Sequence, residues 1–498
     1  MSVRKSLKPS LLALTLALAA LSHPAAAAKP APKPAPARLQ PCKVPGQKGE
    51  VDARCGVYEV WENREAKAGR RIGLKVVVLS ALAAHPKPDP IFVFGGGPGE
   101  AVTTEAGFFA DNPLRRDRDL VFVDQRGTGE PDKLACELGG HEDDLQSYLG
   151  EMFPVDAVIG CRERLAKTYD LTLYTTDLAI DDFDEARAWL GYGKINVWGG
   201  SYGTRAAQVY ARRHPESVRT VILVGAVPMD ETLPITHAAA GQRSLDLLAG
   251  WCEKDAACHA SFPAVGQEFQ AVMDRLRREP VTVEVEHPRT HKPVQVRIAW
   301  NVVADGVRWA LYSPGTSARL PLMIHQAAAG DFRPLAQASV NSRLGAIDGL
   351  TMGLFFSVTC AEDIPFIDPA QVPARTANTF LGDYRVKQQT AACGVWPRAR
   401  IAPEHREAVH TDLPFLVING ERDPVTPPDF GPRVTQAMTH AVRIVVPWGT
   451  HNSQDACTDG IQQDFIAKGT GDGLDLSCVS KIPMTPFVLE PAKEKIGG

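Results

Sequence analysis

The chain has 498 residues, 44% of them hydrophobic and 22% charged, with a formal net charge of −4. That composition is ordinary for a globular protein, and the length allows a large core plus a second module. The charge balance, with no basic stripe interleaved with aromatic residues, excludes a nucleic-acid surface.

Arg4, Lys5 and Lys8 precede an apolar run over 11–21, and four alanines follow at 25–28. This is the layout of a secretory signal peptide with a small-residue cleavage site, and 1–28 is assigned to it. The run is too short for a comfortable membrane span, so no membrane association is expected after cleavage. The mature chain is expected in the periplasm or the medium. Residues 29–41 alternate Lys, Pro and Ala and read as a stiff, extended linker. All ten cysteines lie beyond the signal, an even number in an exported chain, and read as a disulfide set. Pairing sequence neighbours gives Cys42/Cys55, Cys136/Cys161, Cys252/Cys258, Cys360/Cys393 and Cys457/Cys478. Clustered Cys-x-x-Cys or His-rich spacing is absent from the sequence, so no metal is expected.

In chain order, 55–61 and 72–79 read as an opening antiparallel hairpin. A short strand at 91–94 runs into Gly95-Gly96-Gly97-Pro98-Gly99. Another at 119–123 ends in Asp124-Gln125-Arg126-Gly127-Thr128-Gly129. Acidic first turns and an apolar face predict a helix over 177–190. A buried strand at 194–198 leads to Gly199-Gly200-Ser201-Tyr202-Gly203, and a helix over 204–213 follows, with Pro215 beyond it. One more buried strand lies at 218–224. Strands alternating with helices imply a mostly parallel sheet with helices on both faces, whose chemistry sits in loops at the carboxyl ends of the strands.

After residue 230 the pattern becomes mainly helical: 236–251, 265–278, 301–312, 320–329 and 345–359. A hairpin at 281–286 and 294–300 encloses His287 and His291, and its proline and alternation argue against a helical metal pair there. The strand pattern resumes at 413–418, before Asn419-Gly420-Glu421-Arg422-Asp423-Pro424-Val425-Thr426-Pro427. A last strand at 441–446 closes with Pro447-Trp448-Gly449-Thr450-His451-Asn452, and a helix at 460–467 precedes the tail. The expected organisation is a core over 42–230, a cap insertion over 231–405 lying above the strand ends, and the second part of the core with a tail over 406–498.

A Gly-x-Ser-x-Gly turn between strand and helix lifts the serine hydroxyl above the sheet edge, and the flanking glycines make room for it. Ser201 is therefore the candidate nucleophile. A serine hydroxyl needs a base, and the base needs an acid partner to fix its tautomer. Asp423 and His451 follow late strands in the order Ser, Asp, His; His410, Asp412 and His440 each precede a strand instead. The oxyanion hole is expected from the backbone N–H of Tyr202 and of Gly97, with Gly96 as second choice. The glycine loop lacks the Lys-Ser/Thr of a phosphate-binding loop and no dinucleotide spacing occurs, so no cofactor is expected. Asp124 and Arg126 are assigned to bracing that loop.

Gly-Gly-Gly-Pro-Gly, Asp-Gln-Arg-Gly-Thr-Gly, Gly-Gly-Ser-Tyr-Gly-Thr and Asn-Gly-Glu-Arg-Asp-Pro-Val-Thr-Pro together resemble the prolyl aminopeptidase and tripeptidyl aminopeptidase family of α/β-hydrolases. The cysteine-bearing C-terminal part resembles the exported tripeptidyl aminopeptidase branch. The resemblance implies a serine exopeptidase with Ser201, Asp423 and His451 as its triad and a cap closing one end of the cleft. At Gly95 the prolyl enzymes usually carry histidine, a departure that touches proline preference and not the reaction class. An aminopeptidase needs a carboxylate for the substrate's α-amine. Glu362, two residues after Cys360 of the expected Cys360/Cys393 pair in the cap, is the first candidate, with Asp363 and Glu100 as alternatives. The expected substrate is a peptide, with a small ester or amide as the alternative and a catalytically inactive binding module as a third reading. The sequence leaves oligomeric state open.

Overall fold

The computed structural model describes residues 38–141, 143–452 and 455–491, so the signal segment and residues 29–37 of the linker lie outside the described residues. Eleven strands form among the described residues: β1 (Gln40–Gly46), β2 (Gly49–Trp61), β3 (Arg71–Leu79), β4 (Ile91–Phe94), β5 (Leu120–Val123), β6 (Ile195–Gly200), β7 (Val218–Val224), β8 (Val281–Glu286), β9 (Pro293–Ile298), β10 (Phe415–Gly420) and β11 (Ala441–Val446). Nine of them make one sheet in the order β1-β2-β3-β5-β4-β6-β7-β10-β11, while β8 and β9 pair by themselves. The β1 to β3 end is antiparallel and β3 pairs antiparallel with β5; from β5 to β11 every pairing is parallel. Every residue of β4, β5 and β10 is buried, as strands covered on both faces require.

The sheet begins earlier than the sequence pattern suggested. Gln40 and Pro41, placed in the linker above, open β1 and pair with Cys55 and Arg54 of β2. The Cys42–Cys55 bond joins these two strands, and the other four neighbour pairs also form, with Cα separations of 5.1–5.9 Å. Proline and lysine mask an edge strand from pattern reading, but an edge position tolerates both.

The segment between β7 and β10 divides into two parts. Buried side chains between Ala238 and Leu344, with Leu381, form a core of their own, joined by Leu145 and Leu149 from the earlier turn Leu145–Leu149. Phe355, Phe356 and Trp396 instead belong to the core of the main sheet. The single helix expected over 345–359 is two helices, Arg333–Gly349 and Met352–Glu362, bent by 84°. The break is tertiary in origin. Thr351 donates its N–H to the carbonyl of Gly99 (2.8 Å) and its hydroxyl to the carbonyl of Thr128 (2.9 Å), so the chain leaves helical geometry to bind both glycine-bearing loops. A further helix, Tyr384–Val395, had no counterpart in the sequence reading. Among the described residues no single helix is long and apolar enough to cross a membrane.

Candidate active site

Ser201 sits between β6 and the helix Tyr202–Arg213 with φ 55° and ψ −121°, a conformation that a non-glycine residue adopts at a cost of about 1–3 kcal/mol. The glycines two positions to either side permit it. A Cβ on Gly199 would collide with the carbonyl oxygen of Gly203, and one on Gly203 with that of Phe94 in β4. The elbow is thus pressed against the neighbouring strand, and only hydrogen side chains fit.

Asp423 and His451 come together at the ends of β10 and β11. Asp423 is fully buried and its carboxylate accepts four hydrogen bonds. Oδ1 takes the N–H groups of Val425 and Thr426, both at 2.8 Å. Oδ2 takes the Thr426 hydroxyl at 2.6 Å and lies 2.8 Å from His451 Nδ1. Burial works against a charge on His451, but the Asp423 carboxylate and its hydrogen bond, with Glu100 adding to them, outweigh it. The imidazole pKa therefore lies above the ordinary histidine value. Tyr312 packs edge-on against the imidazole at 4.9 Å, and Asn452 donates its N–H to the Tyr312 carbonyl (2.8 Å). Thr426 and Tyr312 were not singled out from sequence. Thr426 stands inside a quoted motif, whereas nothing local marks Tyr312.

Ser201 and His451 line one cavity of about 520 Å³, together with Tyr202 and Gly97. Tyr202 opens its helix, where a backbone N–H has no acceptor inside the helix. Its hydroxyl is held by Gln125 Nε2 (3.0 Å) and Thr176 Oγ1 (2.6 Å). Gly96, the second choice for the oxyanion hole, uses its N–H on Glu100 Oε2 at 2.7 Å, which removes it from that role. Asp124 acts on the segment after the glycine loop: its two oxygens take the N–H and the hydroxyl of Thr103, and burial pushes its pKa up to about 6. Arg126 does not reach that segment. Its guanidinium is buried against Asp182 (2.7 and 3.0 Å) and carbonyls of Glu62 and Leu173, a long reach that sequence proximity could not reveal.

The three candidate amine anchors part company. Glu362 does not line the cavity. Its Oε1 takes the Thr176 N–H and its Oε2 the Thr176 hydroxyl, both at 2.7 Å, and His405 Nε2 lies 3.2 Å away. That is a structural carboxylate with its acceptors already engaged, and the expectation that it binds substrate is corrected here. Asp363 reaches the cavity but is tied to Arg205 (2.8 Å) and to the N–H of Leu233 (3.1 Å). Glu100 lines the cavity, and the residue as a whole is exposed. The surrounding protein raises its pKa by desolvation, against the pull of the Gly96 N–H and of nearby His451. Among the described residues Gly96 is the one donor to its carboxylate. Glu105, beside it in the cavity, was missed, having no motif around it.

The α/β-hydrolase fold profile matches residues 89–455, about three quarters of the chain. Serine protease Hip1 of Mycobacterium tuberculosis is 25% identical over 478 residues, covering 87% of this chain and 89% of that protein. Proline iminopeptidase of Neisseria gonorrhoeae is 30% identical over 144 residues, covering 29% and 34%. A solved proline iminopeptidase from Mycobacterium smegmatis covers 83% of this chain and 98% of that one, with 16% identity and a TM-score of 0.37. The elbow, the sheet order and the profile match lead to one conclusion: the chain belongs to the α/β-hydrolase family and is a hydrolase.

Proposed function

We propose that the protein is an exported serine aminopeptidase that releases residues or short peptides from free N-termini. Ser201 Oγ attacks the scissile carbonyl carbon as its proton passes to His451 Nε2. The tetrahedral oxyanion is held by the N–H groups of Tyr202 and Gly97. Collapse breaks the C–N bond, the leaving amine takes the proton from His451, and water releases the acyl group by the same steps in reverse order. Asp423 holds the imidazole with its Nδ1 proton inward. Five disulfides support an oxidising compartment, and the Hip1 and proline iminopeptidase relatives support a peptide substrate.

The observation that carries the aminopeptidase reading is Glu100, a carboxylate open to the cavity that Ser201 and His451 line. An ammonium–carboxylate contact there fixes the N-terminus of the substrate. An aminoacyl anilide, its N-blocked analogue and a short-chain ester separate the possibilities: the free-amine anilide is cleaved and the blocked one is not. Glu100→Gln is expected to raise KM for the free-amine substrate about 10- to 100-fold, the worth of a charge-assisted contact, with a smaller change for the ester. An equal loss on both would remove Glu100 from this role, and an ester-only activity would make the protein an esterase.

The pH profile follows from the same groups. His451 must be neutral to act as a base and Glu100 must be ionised to hold an ammonium, and both pKa values are raised. Activity should therefore fall as pH drops through a value above about 6.5, the ordinary histidine pKa. A free α-amine loses its proton near pH 8, so kcat/KM for the amine substrate should be bell-shaped while that for the neutral ester stays level on the alkaline side. Identical profiles for both would contradict the amine anchor.

A further inference from the structure

The wall of the cavity opposite in kind to Glu100 and Glu105 is cationic. Helix Trp300–Ala310 contributes Arg308, helix Arg333–Gly349 contributes Arg343, and helix Tyr384–Val395 contributes Arg385; all three line the cavity that holds Ser201 and His451. Among the described residues one carboxylate, Asp305, stands near the first two. Asp305 Oδ1 stands 3.9 Å from Arg308 Nε and its Oδ2 3.7 Å from Arg343 Nη1, both beyond hydrogen-bond range, and Oδ1 has no hydrogen-bond partner. Among the described residues no carboxylate lies within ion-pair distance of Arg385, although the exposed Glu151 also lines the cavity.

Arg385 is nevertheless rigidly placed. Its guanidinium lies 4.9 Å from the Phe153 ring and 5.6 Å from the Phe355 ring, Nε donates to Gln389 Oε1 (3.1 Å) and Nη1 to the weak acceptor Met152 Sδ (2.8 Å). Burial, with Arg308 beside it, holds its pKa down at about 10, so it is still a cation at neutral pH. Arg308 lies over Trp309 and donates to the Tyr312 hydroxyl at 2.8 Å. Tyr312 in turn packs on His451, so this cation is one aromatic ring from the candidate base. His237, on the same cavity, has both ring nitrogens buried without a partner, and burial followed by Arg308 and Arg385 keeps it neutral. A fixed, undercompensated pair of guanidinium forks beside a donor without an acceptor is incomplete until an anion arrives.

We propose that Arg308 and Arg385 form a subsite for a carboxylate of the substrate, so that the cavity takes a short peptide by both charged ends, amine at Glu100 and carboxylate at the cap. This rests on the serine peptidase reading above. The carboxylate has two possible sources, the free C-terminus of a short peptide or an acidic side chain.

The test uses the full mature protein and tri-alanine as its free acid and as its C-terminal amide, together with amides carrying a single glutamate at each position. Each is measured both as a substrate and as a competitive inhibitor of p-nitrophenyl acetate hydrolysis. The expected result is that one carboxylate-bearing form is favoured over the uncharged amide about tenfold or more, in KM or in Ki. Preference for the free acid identifies the C-terminus as the source, and preference for a glutamyl amide identifies the side chain. In Arg385→Met the ratio should collapse to about one, and in Arg385→Lys, which keeps the charge and loses the fork, it should fall part of the way. Stoichiometric labelling of Ser201 by a fluorophosphonate shows that a variant is folded; if Arg385→Met is not, the wild-type ratio and Arg385→Lys decide. Equal affinity for acid and amide in the wild type, or a ratio that survives Arg385→Met, overturns the subsite. Labelling and ester hydrolysis that persist without any acid preference overturn the subsite alone, whereas loss of labelling in the wild type overturns the serine hydrolase reading beneath it.

Discussion

Asparagine at Asp423 is expected to lower kcat by about four decades, on both peptide and ester, with little change in thermal stability. The geometry dictates which way the new amide turns. Val425 and Thr426 both present N–H groups to Oδ1, so the amide oxygen must face them and the NH₂ must take the place of Oδ2. That NH₂ then points at His451 Nδ1, which the carboxylate had made a donor. The imidazole is forced to accept there and to carry its proton on Nε2, the nitrogen that should receive the proton of Ser201. A base in the wrong tautomer cannot work, and about four decades correspond to ~5.5 kcal/mol of transition-state stabilisation. The Thr426 hydroxyl, which also donates to Oδ2, can rotate and accept instead, so the fold loses little. Two measurements check this: turnover, and the rate of fluorophosphonate labelling of Ser201, which should fall in parallel because it needs the same base. A drop of less than about tenfold in either would remove Asp423 from the mechanism.

The parts of this site that sequence could reveal are those made by local chemistry. Ser201 was legible because a tight turn between a strand and a helix demands glycine at Gly199 and Gly203, and the structure shows each pressed against backbone where no Cβ fits. Asp423 and His451 were legible because strand ends in a parallel sheet converge, so chain order predicts proximity. The disulfides follow sequence neighbours because each closes a short loop, with separations of 6 to 33 residues. What failed was long-range and electrostatic. Glu362 and Glu100 are both acids near plausible loops, and nothing in their neighbours says that one is held by Thr176 and His405 while the other lines the cavity. The break at Leu350 and Thr351 is invisible in an apolar helical pattern because its cause is a pair of carbonyls more than two hundred residues away. The arginines of the cavity wall fall on three separate helices, and charge on a helix face ordinarily means solvent.

Removal of the Glu362 side chain is the second large effect, and it should fall on stability before specificity. Glu362 and His405 are each at least nine-tenths buried, and Asp177 Oδ1 completes the group at 3.1 Å from His405 Nδ1. Burial alone would discharge the histidine, but Glu362 first and Asp177 with it push its pKa up to about 10. The imidazolium is thus part of the folded state at neutral pH, and Glu362→Ala leaves its Nε2–H and the Thr176 donors without their acceptor, with Asp177 alone facing the buried cation. Breaking a buried pair in this way costs about 3–5 kcal/mol. The sign of the pH dependence is fixed by linkage. A folded-state pKa above the unfolded value of about 6.5 means that the contribution is fully present below that pH and is lost as pH rises through about 10. The gap in urea midpoint between the wild type and Glu362→Ala should accordingly be largest near neutrality and narrow above pH 10. Activity should fall equally on peptide and ester, because Thr176 links Glu362 to the hydroxyl of Tyr202, whose N–H is the proposed oxyanion donor for every acyl substrate. A variant of wild-type stability with a KM raised for free-amine peptides alone would instead return Glu362 to the role of substrate anchor.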